Sequence, residues 1–181
     1  MSEALPRFVY HPDPLATGSI SKSDERCECC GRVRGYKYEG TPYGERDLEV
    51  ICPWCIADGI AHEKFGAEFT DRDGIGDYGS WGTVPENVAD EIAYRTPGFS
   101  SWQQERWWVC CGDAAVFLGP VGKADLQAHG AEAVAAIRVE CGLEGDDWQQ
   151  YFDALDRDHG PTAYVFRCRH CGKLGGYSDC H

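Results

Sequence analysis

Cys27-Glu28-Cys29-Cys30-Gly31 and, further along, Cys52-Pro53-Trp54-Cys55 decide how this chain of 181 residues is built. Cys27 with Cys30 and Cys52 with Cys55 share one internal gap, and two such knuckles close a tetrahedral thiolate cage around zinc. Gly31 suits the tight turn that aims amide N–H groups at the sulfurs, and Pro53 stiffens the second knuckle. Residues 32–39 and 46–51 read as two short strands around the turn residues 40–44, the hairpin of a zinc ribbon. The metal is expected to be structural. Cys29, inside the first knuckle, is a spare thiol or a competitor of Cys30.

A redox dithiol would place its C-x-x-C at a helix start in a βαβ unit, which nothing before Cys52 supplies. A disulfide framework needs an oxidising compartment, yet the first fifteen residues are polar and lack the apolar core of a signal peptide. The expectation is a cytoplasmic chain. Its apolar fraction of 43%, with six tryptophans, is enough for a core. No run of eighteen apolar residues exists, so neither a spanning helix nor a membrane partner is expected. Thirty acidic against 17 basic residues give a net charge of −13 with cysteines counted neutral, and each zinc held by four thiolates adds two negative charges. Direct nucleic-acid binding is disfavoured, because phosphates must be met by Lys and Arg. A basic partner is favoured.

Along the chain, residues 1–25 read as an extended arm that Phe8 and Tyr10 could anchor. A short helix is expected over 56–65, then a flexible acidic loop over 71–82. That loop holds Gly74, Gly76 and Gly79 in a G-x-G-x-x-G pattern, but without a preceding strand the dinucleotide reading fails. Pro85 opens a helix over 86–95, stopped by Thr96, Pro97 and Gly98. Residues 109–118 read as a strand interrupted at Gly112, and 123–141 as a helix with a break at Gly130 and Gly142 as its stop. The fold class is α+β, small antiparallel hairpins packed with short helices. Residues 1–65 would form arm and ribbon, and 66–181 an α+β portion, the two packed as one unit.

Cys168, Cys171 and Gly172 repeat the knuckle between strand-like residues 162–167 and 173–177. The missing ligands of a second metal site are assigned to Cys110 and Cys111, before Gly112. Neighbouring residues of a strand point to opposite faces, so both can ligate one ion only where the backbone turns. Asp113, His170 and His181 are reserves for the fourth position, and Cys141 and Cys180 read as buried free thiols that act as small apolar groups. A hydrolytic zinc site keeps a position open for water, whereas the complete quartet is closed, and no nucleophile elbow or phosphate loop appears. No catalytic residue is assigned, and the chain is read as no enzyme.

Between residues 140 and 158 seven acids stand against Arg157, with Trp148, Tyr151, Phe152 and Leu155 on one helical stripe. A solvated helix face with its aromatics in the core is the ordinary reading; steering of a cationic partner is the functional one. Asp71, Asp73, Asp77, Asp146, Asp147 and Trp148 are the candidate contacts.

Several stretches carry a family resemblance. They are Leu5-Pro6 through Phe8, Tyr10, His11-Pro12-Asp13-Pro14-Leu15-Ala16-Thr17-Gly18; the Cys27 knuckle with Gly35-Tyr36; and Cys52-Pro53-Trp54-Cys55-Ile56-Ala57-Asp58-Gly59. Next come Arg95-Thr96-Pro97-Gly98-Phe99-Ser100 with Trp102-Gln103, Cys111-Gly112-Asp113-Ala114 leading to Phe117-Leu118-Gly119, and Phe166-Arg167-Cys168 through His170-Cys171-Gly172-Lys173 to Gly176-Tyr177-Ser178-Asp179. Together they resemble the bacterial CbrC family from end to end. That family often shows His where Cys110 stands and Cys where Ala115 stands; a His-to-Cys exchange keeps a zinc ligand. The resemblance implies a role in tolerance of colicins, which are nuclease or pore-forming toxins. The leading expectation is therefore an immunity-type protein that binds a basic nuclease toxin and occludes its active site or nucleic-acid groove. A zinc-ribbon adaptor in a stress response and a thiol-dependent enzyme centred on Cys29 or Cys110 are the alternatives.

Overall fold

In the computed structural model, which describes residues 3–181, the first knuckle is the tip of an antiparallel hairpin. Its strands are β1 (Ile20–Arg26) and β2 (Val33–Tyr38), with Ile20 opposite Tyr38 and an irregularity between Ser23 and Arg26. The hairpin thus differs from the expected one. Its first strand comes from the supposed arm, and residues 46–51 form an irregular segment alongside. That segment is tied on by the Tyr38 amide to the Ile51 carbonyl (2.9 Å) and by the Glu28 carboxylate, which accepts from the amides of Glu49 (2.7 Å) and Val50 (2.9 Å).

The second knuckle opens α1 (Pro53–Ala57), where a first-turn proline forfeits no helical hydrogen bond. The expected helix over 56–65 is cut at Gly59, whose φ of 79° ends α1 and precedes α2 (Ile60–Phe65). Phe8, Ile20, Tyr38, Ile51, Ile56 and Phe69 close a first core around the four sulfurs.

The rest of the chain is built on a sheet of order β5-β6-β7, all antiparallel: β5 (Val116–Val121), β6 (Thr162–Arg167) and β7 (Leu174–Asp179). Side chains of β6 alternate between two apolar environments. Ala163 and Val165 meet α4 (Lys123–Ala128), α5 (Ala131–Cys141) and α6 (Gly145–Ala154), while Tyr164 and Phe166 join Phe99, Trp107, Phe117 and α3 (Glu86–Arg95) in an aromatic core. With both faces covered, the first five residues of β6 are buried. A two-residue hairpin, β3 (Val109–Cys110) with β4 (Asp113–Ala114), sits beside this sheet.

The loop over 71–82 is tied to the body by backbone hydrogen bonds. Gly74 and Gly76 exchange backbone hydrogen bonds with Trp107 (3.0 and 2.9 Å), and a Cβ on Gly76 would lie 2.2 Å from the Gly82 carbonyl oxygen. The glycine pattern therefore serves close backbone packing. Phe8 lies in the first core and Tyr10 in the aromatic one, so the N-terminal segment spans both. Phe69 donates its amide to Ala93 of α3 (2.7 Å), and Tyr43 donates its hydroxyl to Glu105 (3.0 Å), further joining ribbon and body. Among the described residues no helix is long and apolar enough to cross a membrane.

Candidate metal centres

The knuckles at Cys27 and Cys168 are built alike. The amide of the first cysteine donates to the residue five places on, Cys27 to Arg32 (2.9 Å) and Cys168 to Lys173 (2.8 Å). The following glycine, Gly31 or Gly172, donates back to that cysteine's carbonyl (2.8 and 3.1 Å), with φ of 70° and 74°. Glycine is favoured because other side chains are strained at such angles. The knuckle at Cys52 lies at a helix start instead, with Cys52 just before α1 and Cys55 within it.

Cys110 and Cys111 meet the condition that adjacency imposes. The chain turns there: Cys111 and Gly112, with φ of 55° and 70°, form the two-residue loop between β3 and β4, the positive-φ pair that matches strand twist. Both sulfurs thereby reach one place.

The structure gathers Cys27, Cys30, Cys52 and Cys55 in one group and Cys110, Cys111, Cys168 and Cys171 in another, the ligand atoms within each lying inside 4.8 Å of one another. In the first, Cys27 and Cys55 sulfurs are 3.9 Å apart, Cys30 and Cys52 3.9 Å, and Cys52 and Cys55 3.6 Å. In the second, Cys110 lies 3.8 Å from both Cys111 and Cys171. A tetrahedron with metal–sulfur bonds of about 2.3 Å has edges of about 3.8 Å, so both groups have the dimensions of a metal-filled thiolate cage. None of the eleven cysteines is in a disulfide.

Protonation in each group follows from crowding. Cys27 is pushed far down by S–H donation from Cys52 and Cys55, which are pushed up in turn, Cys52 to about 12. In the second group burial and the Cys168 sulfur push Cys110 up, while Cys168 falls to about 6: burial opposes this, and the amides of Cys171 and His170 outweigh it. A bound dication favours the thiolate form of all four ligands. The backbone supports that charge, since the Cys52 amide points at the Cys27 sulfur (3.3 Å).

The reserve ligands have other tasks. Asp113 accepts from the Tyr10 hydroxyl (2.9 Å), from Arg169 (2.9 Å) and from the His170 ring (2.9 Å), latching the knuckle at Cys168 to the N-terminal segment. Against the upward push of its burial, these partners hold the Asp113 carboxyl below its ordinary range. His181 packs near the Trp102 ring, 5.2 Å between centroids. Cys29 is buried and Lys64 donates to its carbonyl (3.1 Å). Sequence reasoning missed the Asp113 latch because Tyr10 lies about a hundred residues from it; only the closeness of Asp, Arg and His to cysteines hinted at one.

The candidate partner contacts separate. Trp148 is 7% exposed and stacks on Phe152, 5.2 Å between centroids, so it belongs to the core and offers no contact surface. Asp77 pairs with Arg106 (3.3 Å), and Asp71 accepts from the Asp73 amide (3.0 Å) and from Gln104 (2.8 Å). Asp73 is exposed, as are Asp146 and Asp147, which sit in the first turn of α6 where acids suit the helix dipole.

Fold and sulfur geometry together define an α+β protein knotted by two four-cysteine sites, each able to hold one metal ion. The chain belongs to the uncharacterised protein family UPF0167, whose family model matches residues 5–180. A UPF0167 protein of Pseudomonas aeruginosa is 43% identical over 175 residues, 96% of either chain. UPF0167 proteins of Mycobacterium bovis and Mycobacterium tuberculosis are each 45% identical over 186 residues, covering 98% of this chain and 94% of theirs. No solved structure matches the chain.

Proposed function

We propose that this protein is a non-enzymatic tolerance or immunity protein that binds a cationic antibacterial toxin of the nuclease class and covers its active site or nucleic-acid groove. The observation that carries this reading is the acidic surplus, 30 Asp and Glu against 17 Lys and Arg. We take the metal of both sites to be zinc, because four thiolates at tetrahedral spacing suit a borderline-soft ion with no geometric demand of its own. Each filled site then adds two negative charges. Such a surface repels nucleic acid and attracts a basic protein, with association accelerated by roughly ten- to a thousandfold at low salt. The closed sulfur cages leave no ligand position for water, which supports a scaffold over a metal hydrolase. The resemblance to the CbrC family, with its link to colicin tolerance, points the same way, as does a cytoplasmic setting for eleven unpaired thiols. The exposed acids Glu144, Asp146 and Asp147 around the start of α6 are the proposed contact.

Co-expression with the nuclease domain of a colicin tests it. The expected outcome is a complex that survives size exclusion, protection of the host, and an association rate that falls steeply with salt. Absence of both complex and protection across colicin nuclease domains would overturn the proposal.

A further inference from the structure

Two cysteine-free stretches that the metal sites leave unexplained, residues 11–18 and 95–103, converge on one cavity of about 380 Å³ between the β1–β2 hairpin and the three-stranded sheet. Its floor is aromatic and rigid. Phe99 is stacked on Phe117, 4.0 Å between centroids, and Tyr164 on Tyr177, 4.8 Å. Trp102, 40% exposed, stands at the rim with its indole N–H fixed on the Thr162 hydroxyl (2.8 Å).

One wall is polar, and its hydrogen-bonding sense can be deduced. His11 is fully buried, and its Nδ1 lies 2.7 Å from the Pro97 carbonyl oxygen, which can only accept. Nδ1 therefore carries the proton and Nε2 is bare, so the Thr17 hydroxyl, 2.7 Å away, donates to Nε2. Burial keeps the ring neutral by pushing its pKa down to about 4. With its proton committed to Nε2 rather than to the more distant Pro14 carbonyl (3.2 Å), the Thr17 oxygen keeps acceptor capacity at the cavity wall, with the Ser19 hydroxyl 3.4 Å away. A buried histidine spent on orienting one threonine oxygen at a cavity wall is a built feature.

The remaining polar side chains of the lining are Ser19, Ser100, Ser101, Glu39, Arg157 and Asp158, with Arg157 donating to the Ala16 carbonyl (3.0 Å) and the buried Ser101 hydroxyl without a partner. One guanidinium against two carboxylates is the wrong balance for a phosphate. The set suits a neutral ligand that has one apolar face for the aromatics and several hydroxyls for the rim.

We propose that this cavity binds a hydroxylated ring, a pyranose or furanose, with its apolar face against Trp102 and Phe99 and a hydroxyl donating to Thr17 Oγ1. The ring could come from a free sugar or from a nucleoside.

The test titrates methyl glucoside, adenosine and adenosine monophosphate into the metal-loaded full chain by calorimetry and protein-detected NMR. At least one of the first two binds saturably at millimolar concentration; glucoside alone identifies a sugar site, adenosine alone a nucleoside site. Thr17→Val weakens binding about tenfold, Thr17→Ser retains it, and Trp102→Ala abolishes it. Because Thr17→Val leaves the buried His11 nitrogen without a donor, Trp102→Ala decides the matter should that variant lose its fold. The proposal fails if neither probe binds saturably, if binding survives Trp102→Ala, or if adenosine monophosphate binds ten times tighter than adenosine.

Discussion

Cys111 is held at a φ of 55° for no apparent reason but to bring its sulfur beside that of Cys110, and it lies open to solvent, as does Cys171. Cys27, Cys52 and Cys55 by contrast are each 1% exposed. The donor sets are identical and the access is not. A chromophoric chelator should therefore strip the metal in two phases, the fast one belonging to the second site, and Cys111→Ser should remove only that phase. A single phase for both metals would contradict the reading. His11 makes a second prediction. Its pKa, pushed by burial from 6.5 to about 4, means that the unfolded chain takes up a proton the folded chain refuses. Stability from this group is thus complete above 6.5 and is lost as pH falls through the interval down to about 4, by about 3 kcal/mol at most. Acid also loosens thiolate sites, so the informative quantity is a difference. Urea midpoints at about pH 7.5 and about pH 5 should diverge less in His11→Asn than in the parent.

Among the elements, the two glycine-closed knuckles show what a cysteine spacing can fix. Gly31 has open space around it, so Gly31→Ala carries only the cost of a side chain at positive φ, about 1 kcal/mol. At Gly98 a Cβ would stand 1.9 Å from the Phe69 carbonyl oxygen, where ribbon meets body, and Gly98→Ala should cost about 3 kcal/mol or more. Thermal denaturation should rank them in that order. The knuckles, α3, the break in the helix at Gly130 and the strand before Cys168 were legible because cysteine spacing, proline, glycine and apolar runs each act locally. β1 was not. Its sequence, Ile20-Ser21-Lys22-Ser23-Asp24-Glu25-Arg26, buries a single apolar side chain, and its partner lies across the knuckle, so periodicity carries no trace of it. The packing of the loop over 71–82 was hidden for a related reason: its glycines answer to Trp107 and Gly82, which proximity in the chain does not announce.

At the scale of the molecule, two apolar cores share an N-terminal segment, Phe8 serving one and Tyr10 the other, and the first of them encloses its own group of four sulfurs. The two four-cysteine groupings could be read from the sequence because each is made of short local pairs. The cavity beneath Trp102 could not, since its lining comes from residues scattered from Thr17 to Tyr164. The acids divided similarly: composition gave their excess, but only the fold tells the engaged Asp77 from the exposed Asp146 and Asp147. If these acids steer a toxin, Asp146→Lys with Asp147→Lys should slow association several-fold and leave the melting temperature almost unchanged, as stopped-flow mixing and calorimetry would record. The most direct test of the whole account is native mass spectrometry of chelator-free protein. Two zinc ions per chain are predicted, falling to one in Cys168→Ser with Cys171→Ser. A metal-free chain with its cysteines all titratable as free thiols would contradict it.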